Sequence, residues 1–377
     1  MKRRRFLKGL AAAAACAAVP WPLLGCSARR VSAGVPLTRK IGQMLLVGFR
    51  GAELRGDEAV VRDLDRFGLG GVVLFDYDVM LGSYGRNIVS PEQLRALTAR
   101  LQTLSRLPLF IAVDQEGGRV ARLKEGRGFP ATVSARSLGE AGDLALTRRR
   151  AEQIATTLRE NGINLNFAPV VDLDVNPENP VIGGLERSFS ADPAVVAAHA
   201  RELLLAHDRH GVLGCLKHFP GHGSSSTDSH QGFVDVTASW SESELEPYRV
   251  LIAQGLAKMV MTAHIFNRRL DPRYPATLSR ATVTGLLRAG LGFDGVVVSD
   301  DLQMGAIAKN FSYEAAVEKA IQAGVDILLV ANNLEYDPDV VAKTVALIAD
   351  RVRSGAIAEE RIDASYCRIM RLKGLTA

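Results

Sequence analysis

Three of the seven histidines fall within thirteen residues, in Lys217-His218-Phe219-Pro220-Gly221-His222-Gly223 and the Asp228-Ser229-His230 that follows. Asp228 and His230 are two apart, so their side chains can meet where a loop turns. An aspartate beside an imidazole fixes its tautomer and supports it as a proton donor and acceptor near neutrality. Taken alone, an Asp-x-His on a loop is more often solvated surface. His218 and His222 have the i, i+4 spacing of zinc-binding helices, but Pro220 and Gly221 between them disfavour a helix, so no metal site is expected.

Two other stretches bring carboxylates. Ser299-Asp300-Asp301 follows the apolar run Val296-Val297-Val298. A carboxylate at the end of a barrel strand can attack an electrophilic carbon, bind a cation or close a structural ion pair. The second is Val113-Asp114-Gln115-Glu116-Gly117-Gly118-Arg119-Val120-Ala121-Arg122. Here Asp114 and Arg122 can bind hydroxyl groups, and the paired glycines let the backbone approach a ligand; a tight turn closed by an ion pair is the alternative. No dinucleotide or phosphate-loop glycine pattern occurs in it. Asn164 and Asn166 alternate with Ile163, Leu165 and Phe167, a polar strand face that suggests a hydrogen-bonding substrate if it faces a barrel interior. Lys217, at a strand's end, also suits Schiff-base chemistry.

These residues need elements to position them. Short β-rich runs appear at 43–49, 71–75, 109–113, 163–170, 212–217, 259–263, 295–299 and 325–330. Between them Ala151, Ile154, Ala155 and Leu158 share one helical face, with Gly162 where a helix-ending glycine belongs. A helical pattern over 194–210 closes at Gly211, and others fit 91–105, 280–289, 313–323 and 339–352. Eight strand–helix units fit a single-domain α/β fold of the (β/α)8 TIM-barrel type better than a doubly wound sheet. The longest connections, 76–90, 114–143, 172–193 and 218–243, each leave the C-terminal end of a strand, where such folds place their sites.

Taken together, the motifs resemble those of glycoside hydrolase family 3, and within it the single-domain β-N-acetylglucosaminidases of the peptidoglycan-recycling type. The resemblance runs from Ile41-Gly42-Gln43-Met44 to the C-terminal helix. It is carried by Asp114 to Val120, Phe167-Ala168-Pro169-Val170-Val171-Asp172, the Lys217–Gly223 stretch, Asp228-Ser229-His230 and Ser299-Asp300-Asp301-Leu302. It implies a retaining enzyme that removes terminal β-linked N-acetylglucosamine, with Asp300 as nucleophile and His230, oriented by Asp228, as general acid/base. It further implies that Lys217 and His218 bind sugar hydroxyls with Asp114 and Arg122, and that Arg187 in Glu186-Arg187-Ser188-Phe189 joins them. No cofactor is implied. Where family members commonly read His-Gly-Asp-Thr, this chain has Ser224 and Ser225, so the loop is expected to differ in detail.

Other readings are a family 3 β-glucosidase, a glycoside phosphorylase, and a lipoprotein that binds wall glycan without cleaving it. Two-domain β-glucosidases take their acid from a further domain, which is not expected here because the chain stops at Ala377 after its last helix. A pure binder has no need of Asp300, Asp228 and His230 together.

The formal charge of +5 does not point to nucleic acid. Lys2, Arg3, Arg4, Arg5 and Lys8 hold that excess within the first 25 residues, and the remainder balances its 41 acidic residues. Residues 1–25 resemble a twin-arginine export signal ending in Leu23-Leu24-Gly25-Cys26, a lipobox whose Cys26 would carry lipid. The expected organisation is a leader (1–25), a tether (26–35) and a barrel (36–377), exported to the cell envelope and held to a membrane by the lipid. Cys215 and Cys367 are expected as small buried hydrophobes, a disulfide between them being the alternative.

Overall fold

The apolar runs become strands because both of their faces are covered, which is the environment of parallel strands inside a helical ring. The structure is a computed structural model and describes residues 31–375. The expected leader, Cys26 and the first part of the tether lie outside the described residues. Eight strands follow in chain order: β1 (Leu45–Gly48), β2 (Gly71–Val73), β3 (Phe110–Val113), β4 (Leu165–Asn166), β5 (Leu213–Phe219), β6 (Met259–Thr262), β7 (Val296–Ser299) and β8 (Leu328–Val330). They pair in parallel in the order β7-β6-β5-β4-β3-β2-β1-β8. A bridge between Val298 and Ile327 joins the two ends and closes the barrel. All eight strand-like runs are therefore strands, seven of them shorter than the runs themselves and the fifth, Leu213–Phe219, reaching two residues beyond its run. The fourth is the most reduced: beyond Asn166 it returns only as a bridge from Val170 to Lys217, past Pro169, which has no N–H to give.

The helices follow the periodicity closely. Leu144–Glu160 buries Ala151, Ile154, Ala155 and Leu158 on one face, and Pro193–Arg209 buries its own stripe beside it. Each is followed by a glycine in the left-handed region, Gly162 (φ 71°) and Gly211 (φ 67°), so the chain can turn at once into β4 and β5. Helices Leu37–Gln43, Ala59–Phe67, Pro91–Leu104, Glu246–Ala253, Tyr313–Ala323, Val340–Arg353 and Glu359–Leu372, with a π-helix at Ala281–Gly290, also belong to the ring. At the end opposite the strand C-termini, buried Asp326 is gripped by Arg288, Arg361 and Arg368, which hold its carboxyl near pKa 2 against the opposing effect of burial. Cys215 and Cys367 are buried thiols and no disulfide joins them.

Candidate active site

The C-terminal ends of the strands surround a cavity of about 420 Å³, within the range of small-molecule sites. Asp114, Arg187, Lys217, His218, His230 and Asp300 all reach it. Arg122 reaches it too. Four strand ends and the connections that leave them therefore bring together residues up to 186 positions apart, from Asp114 to Asp300.

One wall is a buried charge network. Lys217 ends its run inside β5 and places Nζ 2.8 Å from Asp114 Oδ1 and 2.6 Å from Glu116 Oε1. Burial alone would lower the lysine pKa, but the two carboxylates outweigh it and raise it, so the amine is held as a cation. Arg187 donates from Nε and Nη2 to both oxygens of Glu116, each at 2.7 Å. Arg187 and Lys217 overcome the burial of Glu116 and hold its pKa at about 2. Arg122 stands 3.6 Å from the other oxygen of Asp114. His218 lies beside Arg187, with its Nδ1 2.6 Å from the fully buried Asp172. The result is a set of fixed donors and charged acceptors facing one small space, suited to a ligand rich in hydroxyls.

The loop after β5 carries the second element. His222 anchors it, with Nδ1 on Ser225 Oγ at 2.8 Å and Nε2 on Ser229 Oγ at 3.1 Å. Burial lowers its pKa to about 4, so it is a neutral strut. Asn179 donates to the carbonyls of His222 and Gly223 from below. At the tip, His230 Nδ1 meets Asp228 Oδ1 at 2.7 Å and the His230 backbone N–H donates to the same oxygen at 2.8 Å. The tip docks on the segment after β7: Gly305 and Ala306 donate their N–H groups to the carbonyls of His230 and Ser229 at 3.1 and 3.0 Å. A loop from strand five is thereby pinned beside the carboxylates that end strand seven.

Those two carboxylates differ in environment. Asp301 points back into the fold, where its Oδ1 accepts the N–H groups of Gln303 (3.2 Å) and Ala331 (2.9 Å). Burial, with the repulsion of Asp300, pushes it up to about 7 despite these donors. Burial would raise Asp300 as well, but the imidazoles of His264, His218 and His230 outweigh it and hold Asp300 below the usual carboxylate range. Both residues line the cavity, and neighbouring carboxyls driven apart in this way divide their roles: Asp300 is the ionised member. His264 sits beneath, its Nε2 donating to the Asp301 carbonyl at 2.9 Å and its Nδ1 against Thr277.

The sequence model for the glycosyl hydrolase family 3 N terminal domain matches residues 36–372. The chain belongs to that family. It is 36% identical over 370 residues to the beta-hexosaminidase LpqI of Mycobacterium tuberculosis, covering 95% of this chain and 88% of that one. It is 35% identical over 387 residues to beta-hexosaminidase A of Pseudoalteromonas piscicida, covering 92% of this chain. Among solved structures, a glycoside hydrolase family 3 beta-N-acetylglucosaminidase from Paenibacillus sp. str. FPU-7 superposes with a TM-score of 0.82 at 36% identity over 91% of this chain. This chain spans 63% of the length of the Pseudoalteromonas relative and 63% of the Paenibacillus chain.

Within this family 3 barrel the residues singled out in the sequence do converge: Asp114, Arg122, Arg187, Lys217, His218, His230 and Asp300 line one cavity, with Asp228 behind His230. Three readings are corrected. Asn164 and Asn166 do not face the cavity. Asn164 pairs with the backbone of Leu109 and Ile111, and Asn166 with that of Gln115 and with His207 on the surrounding helix. Both faces of β4 are buried, so a polar stripe marks a seam with the neighbouring strand and helix rather than a ligand surface. The paired glycines do not admit a ligand either. A Cβ on Gly117 would stand 2.4 Å from the Val133 carbonyl oxygen and one on Gly118 2.7 Å from Ser134 Cα, so the close neighbour is the chain itself. The Schiff-base reading of Lys217 fails on charge, because an ammonium held by two carboxylates has no lone pair to offer.

Glu116, Asp172 and His264 were not singled out as site residues. Glu116 and Asp172 lie inside the quoted motifs, and Glu116 follows Asp114 by two, the spacing that returns a side chain to the same face. His264 carried no such signal.

Proposed function

We propose that the protein is a retaining exo-β-N-acetylglucosaminidase acting on terminal β-linked N-acetylglucosamine of cell-wall fragments. The observation that carries this reading is the shared cavity: ionised Asp300 on one strand, the Asp228-supported His230 pinned beside it, and a hydroxyl-binding wall across from them. The names of the relatives, beta-hexosaminidase and beta-N-acetylglucosaminidase, support the sugar class.

In the first step an Asp300 oxygen attacks the anomeric carbon, the bond from that carbon to the leaving oxygen breaks, and His230 gives that oxygen its proton. With Nδ1 turned to Asp228, Nε2 is the nitrogen left to deliver it. In the second step water attacks the same carbon, His230 takes the water's proton, and the bond to Asp300 breaks. Two inversions give net retention. Asp114, Arg122, Arg187, Lys217 and His218 hold the sugar hydroxyls, and their rigidity in the free protein keeps the anomeric carbon in place without further ordering. The same reading takes residues 1–25 as an export leader, Cys26 as the lipid-bearing residue, 26–35 as a tether and 36–377 as the barrel, so that the enzyme works from a membrane surface in the envelope.

Selectivity tests the substrate class. The purified protein should cleave a chromogenic β-N-acetylglucosaminide much faster than the matching β-glucoside, releasing free N-acetylglucosamine whether or not phosphate is present. Equal rates on the two sugars, or a sugar phosphate as product, would overturn it.

A further inference from the structure

Large apolar side chains are unevenly spread over the exterior. Among the described residues, Tyr77, Val79, Met80, Leu81 and Tyr84 are 36–64% exposed within eight consecutive positions. They form the hairpin of strands Tyr77–Asp78 and Ser83–Tyr84 in the connection after β2. Contiguous exposed apolar surface of this kind, edged by polar groups, marks an interaction site more often than a packing accident.

The hairpin is a fixed wall. Asp78 takes Arg50 on both oxygens, at 2.7 and 3.1 Å, and pairs with buried Arg86. Asn333, in the connection after β8, accepts the Val79 N–H at 3.0 Å and donates to the Tyr77 carbonyl at 3.1 Å. Tyr77 and Tyr84 meet edge to face at 4.9 Å. A wall held this firmly binds without a further ordering cost.

Its position gives it a role. Tyr77, Val79, Asn333 and Leu334 line the same cavity as Asp300 and His230. The charged residues that would hold the reacting sugar come from the connections after β3, β4 and β5, a continuous arc of the barrel. The apolar wall comes from the connections after β2 and β8, which flank β1 on the remaining arc. His230 is docked on the segment that follows β7, next to β8. The acid must face the leaving oxygen, so the departing group extends over this second arc. A pyranose ring has an apolar C–H face and polar edges, and a tyrosine ring offers a matching flat surface with a polar tip.

We propose that the Tyr77 hairpin and the facing Asn333-Leu334 segment form a subsite for the sugar ring on the leaving-group side, with Tyr77 as its platform. This rests on reading the cavity as a glycosidase site, so the test uses binding, which needs no turnover. In the Asp300→Ala background, affinities are measured by calorimetry for N,N′-diacetylchitobiose and for methyl β-N-acetylglucosaminide. The disaccharide should bind more tightly than the methyl glycoside. Adding Tyr77→Ala should weaken the disaccharide about tenfold and leave the methyl glycoside within about twofold. Tyr77→Phe, which keeps the ring, should retain the disaccharide affinity. Equal weakening of both ligands, or no weakening of either, overturns the subsite. So does sedimentation showing a dimer that Met80→Asp disperses while disaccharide affinity stays unchanged, because the wall would then be covered by a second copy. If Asp300→Ala binds the disaccharide in the expected pattern while the parent protein cleaves no glycoside, the hydrolase reading fails and the subsite stands.

Discussion

Replacing Lys217 with methionine removes the one cation shared by Asp114 and Glu116 while keeping most of the side-chain volume. The ammonium stands 2.8 and 2.6 Å from the two carboxylates and only 2% of the side chain is exposed. Glu116 keeps its two-pronged pair with Arg187, whereas Asp114 is left with Arg122 at 3.6 Å. The uncompensated charge therefore falls on Asp114. Breaking a buried pair by removing one partner costs about 3–5 kcal/mol, and the surviving arginines place this change near the low end. In a domain of this size that is a fall in Tm of roughly 6 °C. The direction with pH follows from the carboxylate. In the parent, burial would raise Asp114, but Lys217 and Arg122 outweigh it and hold the pKa below its usual value. That stabilisation is present above the unfolded pKa, near 3.9, and is lost as pH falls through the folded value. In Lys217→Met burial dominates, Asp114 takes up a proton more readily on folding, and acid relieves the deficit. Urea unfolding of parent and variant should show the gap widest near pH 8 and narrowing toward pH 5. A gap below about 1 kcal/mol, or one equal at both pH values, would refute the assignment of Lys217 as the shared counter-ion.

Glu244 lies buried at the root of the loop that carries His230, accepting the Gly223 N–H at 3.0 Å, and burial raises its pKa from 4.5 to about 7. The folded state then holds a proton that the unfolded chain has lost, so stability falls as pH rises from 4.5 to about 7, by on the order of 3 kcal/mol in all. Glu244→Gln should be more stable than the parent to urea at pH 8.5 and converge with it at pH 4.5; the same offset at both would show that the carboxyl is not the cause. For Cys26→Ala, fractionation of the producing cells should move the protein from membrane to soluble fraction, and retention equal to the parent would remove the lipid-anchor reading.

The barrel was legible because its strands are covered on both faces and so stand out as apolar runs such as Val296-Val297-Val298, each followed by a helix with its own period. The site was legible because barrel geometry sends every strand's C-terminal residue to one place. Asp114, Lys217 and Asp300 stand at the ends of such runs, and the family resemblance supplied the grouping with Arg122, Arg187, His218, Asp228 and His230. Orientation was not legible in the same way. Periodicity shows that Asn164 and Asn166 share a face, but with both faces of β4 buried it cannot say which one looks inward. The paired glycines likewise announce a close approach without naming the neighbour, which proved to be Val133 and Ser134. Contacts between distant connections were out of reach for the same reason. The Glu116–Arg187 pair spans 71 positions and the Asn333 staple on the Tyr77 hairpin 256, separations that no local pattern encodes.

The proposed mechanism needs Asp300 as the nucleophile at the anomeric carbon and His230 as the proton carrier. The most direct measurement uses His230→Ala with a dinitrophenyl β-N-acetylglucosaminide, a leaving group that departs without protonation. The first step should then proceed while the second, deprived of its base, lags by roughly 10²–10⁴-fold. Peptide mapping by mass spectrometry of the stalled protein should find one N-acetylhexosaminyl group esterified to Asp300. An adduct on Asp301, or no adduct under burst conditions with turnover equal to the parent, would contradict it.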